Sequence, residues 1–205
     1  MRVITLTNKF KKMKVLLKIS LLLLFTINCN CQTLPLNTPY TNIDNNGSYV
    51  KDIDNALPFW VGTWKGTVGN KEYTFQFTTF LHHTVSFPSG NYYYKDKLMG
   101  KFKVVDLTTN DVLYDDLSVS NFEDYKIELS YPGNNIGYVF AFDDDNAHCN
   151  NSVEFTLLKI PTNPNQIKYL NFEYTEFISP SDCIYPEQED IPMFLPKTEV
   201  ILTRQ

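Results

Sequence analysis

Few residues in this chain have the types and spacing that chemistry needs. His82 and His83 are its only adjacent histidines. Neighbours on a strand point to opposite faces, so one metal ion rarely takes both, and zinc wants further ligands close by. The pair reads as surface or half-buried histidines. Asp143, Asp144, Asp145 and Asn146 offer the oxygen ligands that calcium takes. They lack the alternating acids, the glycine and the closing glutamate of a calcium loop, and read as a solvated acidic loop. Asp115-Asp116 and the Glu187, Glu189, Asp190 group read the same way. Two carboxylates can hydrolyse a glycosidic bond only when they face each other across a cleft, which spacing does not establish. Gly-x-Ser-x-Gly, His-Glu-x-x-His, phosphate-loop and dinucleotide patterns are absent from the sequence. The expectation is no catalytic residue, no metal site and no cofactor.

The cysteines depend on where the chain goes. Residues 9–18, KFKKMKVLLK, are basic, and residues 19–27, ISLLLLFTI, are apolar. That run is short of the roughly 20 apolar residues a spanning helix needs. Polar NCNCQT follows, so residues 1–31 read as a secretory signal peptide, with Met1 and Met13 both usable as starts. Cleavage before Gln32 gives a soluble protein exported to the periplasm or the medium. The alternative is a lipoprotein acylated at Cys29 or Cys31, although neither follows the usual small residue. After cleavage Cys149 and Cys183 remain. In an oxidising compartment they are expected to form a disulfide; two buried thiols are the alternative.

Strands must position these groups. Ala is almost missing after residue 31, while Phe and Tyr abound there. That composition favours strands over helices. Residues 32–57 are polar and turn-rich, an irregular arm with one short helical turn near Asp54–Phe59. From there the pattern alternates with period two. Trp64–Val68 starts a strand, and Glu72–Phe80 sets Tyr73, Phe75 and Phe77 on one face. His82–Phe87, Leu98–Asp106 and Val112–Tyr114 follow, with turns at Pro88–Asn91 and Thr108–Asp111. Later, Ile127, Leu129 and Tyr131 share a face, as do Tyr138, Phe140 and Phe142. Val153, Phe155 and Leu157 form a third set, and Leu170, Phe172 and Tyr174 a fourth, before a last strand at Glu199–Thr203. Such alternation means one face on a core and one on water. Eight to ten strands over residues 58–205 give a single all-β domain, a sandwich or an up-and-down barrel.

Charge narrows the partners. Residues 1–31 hold six Lys and Arg and no acid, so the remaining 174 hold 12 basic and 23 acidic residues, a net of 12 − 23 = −11. Phosphate binding needs a basic face, so a nucleic-acid partner is not expected. After residue 31 no apolar run is long enough for a spanning helix.

The stretch DNALPFWVGTWKGTV at residues 54–68 resembles the opening of lipocalin-type barrels. There a helical turn leads into Gly-x-Trp, here Gly62-Thr63-Trp64. The resemblance implies an antiparallel, lipocalin-like barrel plugged at one end by Trp64, with Gly62 allowing close approach of the chain. It also implies that Arg204, just after the last strand, lies across the indole. Over nearly the whole mature chain, GSYVKD, FWVGTWKG, NKEYTFQF, YYYKDKLMGKFKVV and the closing VILTR are similar to the DUF6705 type. These are small exported Bacteroidetes proteins of unknown function, and the resemblance implies export and one β domain, with no activity to transfer.

Two functions fit. The first is a barrel holding a small apolar ligand lined by Tyr73, Phe75, Phe77, Phe102, Tyr138, Phe140 and Phe155. The second is an envelope interaction or structural module with a filled barrel. It would act on a partner protein through exposed rings around Tyr92, Tyr93 and Tyr94, or through the arm at residues 32–57.

Overall fold

The computed structural model describes residues 32–44, 46–132, 137–144, 149, 151–175 and 183–205. The leader with Cys29 and Cys31, and Asp145 and Asn146 of the acidic run, lie outside them.

Eleven strands follow one another in the described chain. They are β1 (Thr33–Pro35), β2 (Asn46–Lys51), β3 (Gly62–Val68), β4 (Lys71–Ser86), β5 (Tyr92–Asp106), β6 (Val112–Asp115), β7 (Ile127–Pro132), β8 (Gly137–Asp144), β9 (Asn151–Lys159), β10 (Gln166–Tyr174) and β11 (Val200–Arg204). Eight of them close a ring in the order β5, β4, β3, β11, β10, β9, β8, β7 and back to β5. Each neighbouring pair in the ring is antiparallel. Ring order follows chain order, which is the up-and-down barrel that the alternation and the Gly-x-Trp opening implied.

Two narrow seams close it. β3 meets β11 through Trp64 opposite Arg204 and Lys65 opposite Thr203. β5 meets β7 through Met99 opposite Glu128 and Gly100 opposite Ile127. Each has a glycine beside it with no room for a side chain. A Cβ on Gly66 would stand 2.4 Å from the Ile201 carbonyl oxygen, and one on Gly100 would stand 2.6 Å from the Phe77 ring.

β5 shares one edge among three partners. β2 pairs in parallel along Tyr92, Tyr94 and Lys95, β7 takes Met99 and Gly100, and β6 takes Lys103 to Val105. β7 has therefore left β5 where β2 arrives. The arm thus contributes β1 and β2, paired in parallel with each other. A 3-10 turn at Leu57–Phe59 leads into β3.

Bulges account for the departures from simple alternation. The segments expected separately at Glu72–Phe80 and His82–Phe87 are one strand, β4, with a register shift between Phe80 and His83 and His82 at φ 54°. One extra residue bends a strand without ending it. A shift between Leu129 and Tyr131 turns Tyr131 out of the face expected for it, leaving it 53% exposed. In β10 the shift falls between Leu170 and Glu173, with Asn171 at φ 56°. Leu170 then lies opposite Thr156 and Tyr174 opposite buried Val153, so the two do not share a face. The inward residues of β10 include Ile167 and Tyr169, both fully buried.

Candidate functional site

The end of the barrel where β3 starts is sealed. Pro58 at the head of the 3-10 turn sets its φ, and the turn drives Leu57 and Trp60 into the interior beside Trp64, all three fully buried. Trp64 Nε1–H donates to the Trp60 carbonyl at 2.8 Å. Arg204 lies over the Trp64 ring, 4.2 Å from its centroid, and donates to the carbonyls of Val61, at 2.6 Å, and Phe59. Gly62, at φ +118°, would place a Cβ 3.3 Å from the Arg204 guanidinium. Lys159 adds a second cation, 4.5 Å from the Phe59 ring centroid and 5.6 Å from that of Trp60, and burial pulls its ammonium below the ordinary lysine range.

The seven residues proposed from sequence as a ligand lining come together in the barrel interior. Tyr73, Phe75, Phe77, Phe102, Tyr138, Phe140 and Phe155 are all buried, the most exposed at 4%. They touch one another. Phe75 stacks on Phe102 at 5.7 Å, Phe77 meets Phe140 at 5.2 Å, and Phe140 stacks on Phe155 at 5.6 Å. Phe75 on β4 also reaches Phe155 at 6.4 Å and Tyr169 at 6.0 Å, spanning the interior from β4 to β9 and β10. Tyr169 belongs with them but carries no mark in the alternation, because the β10 bulge moves the apparent period by one residue.

Above the sealed end, Asp96 ties the arm down. Its carboxylate, 2% exposed, accepts from the Tyr49 hydroxyl at 2.5 Å and from the backbone N–H groups of Asp52 and His82, each at 2.9 Å. Burial and Asp96 together push the Tyr49 hydroxyl up to about 12. Asp52 in turn accepts from the N–H groups of Ala56 and Leu57. The His82 ring stacks on Tyr94 at 4.0 Å, and His83 sits edge-on to Phe122 at 5.0 Å. Both histidines thus pack on aromatic rings. Among the described residues no group of three or more His, Cys, Asp or Glu could hold a metal ion. Of the three consecutive tyrosines only Tyr92, 40% exposed, reaches solvent freely; Tyr93 is buried against Phe87.

A cleft opens beside this tie. It has a volume of about 430 Å³ and lies between the arm, β5 and the departing end of β7. Leu36, Pro39, Ile43 and Val50 give it apolar walls, Tyr40 and Tyr131 stand at its rim, and Tyr93 and Lys95 line it from β5. Lys95 is half-buried. Burial lowers the pKa of its ammonium; Lys97 acts in the same direction and Glu128 against it. Glu128 is already paired with Lys97 at 2.9 Å. Nothing in the sequence marked Lys95 except its place beside three tyrosines within a strand.

A smaller cavity of about 190 Å³ lies at the far end of β9 from Lys159, lined by Tyr114, Asn151, Tyr185, Pro192 and Phe194 among others. Nearby, Cys149 and Cys183 are joined by a disulfide. Asp116, expected in a solvated pair, is instead 7% exposed. It accepts from the Phe102 N–H at 2.6 Å and the Tyr114 hydroxyl at 3.3 Å, and desolvation raises its pKa. Asp115 follows expectation more closely, paired with Lys103 at 2.9 Å. Glu187, Glu189 and Asp190 are exposed.

No helix among the described residues is long and apolar enough to cross a membrane, a finding that does not bear on strands. No curated protein and no solved structure is significantly similar to the chain. A family of unknown function, DUF6705, matches residues 13–205. With a match of that extent, over an eight-stranded up-and-down barrel clasped at its seam, the chain belongs to the DUF6705 family.

Proposed function

We propose that this is an exported binding protein whose filled barrel serves as a frame and whose working surface is the cleft between arm, β5 and β7. The observation that carries this is the contact of Phe75 with Phe155 and Tyr169 through the middle of the barrel, which places rings where an interior ligand would lie. The cleft, at about 430 Å³, falls within the roughly 300–1,000 Å³ usual for small-molecule sites. Export by the leader at residues 1–31 completes the reading, with acylation at Cys29 or Cys31 as the variant form.

Native mass spectrometry of the protein recovered from its own host tests export and occupancy together. The expected species starts near Gln32 and carries no apolar molecule in its interior. If a retained apolar molecule shows nuclear Overhauser contacts to Phe75, Phe140 and Phe155, the interior is the binding site and the cleft reading fails.

A further inference from the structure

Lys95 brings a positive charge into the cleft without a direct partner of its own. Among the described residues its ammonium has no ion pair or hydrogen bond, whereas the nearby Lys97 holds Glu128 and Lys101 donates to the carbonyls of Leu117 and Val119 at 2.7 and 2.8 Å. The position is fixed. Lys95 pairs with Val50 on one side and His83 on the other, in the three-strand layer of β2, β5 and β4. Glu128 acts on this charge but is itself held by Lys97 at 2.9 Å. A cation drawn part-way out of water and left unpaired is stabilised by any anion that reaches it. The other side-chain donors lining the cleft are uncharged: Asn37, Thr38, Ser130 and the hydroxyls of Tyr40, Tyr93 and Tyr131. One cation and several neutral donors match a single negative charge better than a phosphate dianion. The remaining walls, Leu36, Ile43, Val50 and Pro132, match an apolar body.

We infer that the cleft takes a small amphipathic carboxylate, its head on the Lys95 ammonium and its apolar part under the arm. This rests on the reading of the cleft as the working surface and adds the chemical class of what it holds.

The test titrates decanoate, decanol and decylamine, all below their micellar range, into the mature protein and follows backbone amide shifts. Decanoate is expected to shift residues 36–43, Tyr93, Lys95 and residues 130–132, and to bind roughly tenfold or more tightly than decanol, the usual gain from one charge-assisted contact. Decylamine is expected not to bind. Lys95→Gln should remove the preference for decanoate, and Lys95→Arg should keep it. The comparison of the three probes in the unaltered protein stands even where a variant folds poorly. Equal binding of decanoate and decanol at the cleft would overturn the carboxylate assignment while leaving the cleft as the site. Shifts confined to interior rings, or none with any probe, would overturn both.

Discussion

Arg204 gives its guanidinium to two carbonyls and to the face of one indole, and all three belong to the segment that opens the barrel. Arg204→Ala removes the cation–π contact and leaves the carbonyls of Phe59 and Val61 without that donor. The expected loss is roughly 2–4 kcal/mol, measured by urea unfolding. Gly66 argues the converse case, where an added atom does the damage. A methyl there meets the Ile201 carbonyl and the Leu202 side chain. Gly66→Ala is therefore expected to cost roughly 1–3 kcal/mol by the same measurement, through overpacking. The clasp was legible through resemblance: the Gly62-Thr63-Trp64 opening is similar to that of lipocalin-type barrels, and that resemblance implies Arg204 across the indole. Asp96 was not legible. An acid flanked by two lysines looks like a solvated face, and only the arrival of Tyr49 and Asp52 from the arm makes it a buried acceptor.

Strands were legible wherever alternation ran uninterrupted, as in β8 and β9. Long-range pairing and bulges were not. A bulge adds one residue and leaves little compositional mark, so β4 looked like two strands and β10 was assigned the wrong inward face. The arm was legible as turn-rich, but its two short strands form only because β7 vacates the β5 edge. That attachment is pH-sensitive through Tyr49. Its hydroxyl titrates at about 12 in the fold against an ordinary 10.0. Between these values the unfolded chain has released a proton that the folded chain retains, so the Tyr49 contribution is complete below pH 10 and is lost as pH rises toward 12. The difference in melting temperature between the unaltered protein and Tyr49→Phe is therefore expected to shrink across that interval. A difference that stays constant from pH 9 to 12 would show that the hydroxyl does not support the arm.

From Thr33 onward the described chain is a ring of strands around packed rings, fastened by a covalent link at the end opposite the clasp. Phe155→Ala takes the ring from a residue in contact with Phe75, Phe140 and Tyr169. It is expected to destabilise by roughly 3–5 kcal/mol and to leave a hollow able to admit a small apolar probe such as benzene. Reduction of Cys149–Cys183 frees a separation of 34 residues. The expected cost is roughly 3–4 kcal/mol from chain entropy, read from unfolding curves with and without reductant.

At the clasp, Arg204 and the Val61 carbonyl join atoms 143 residues apart. While the barrel folds, each strand from β4 to β10 extends the sheet without shutting it. Until β11 is in place, β3 and β10 each present an unpaired margin beside a half-open stack of rings. A chain whose β11 is displaced is therefore expected to be an open, aggregation-prone sheet in place of a slightly smaller barrel.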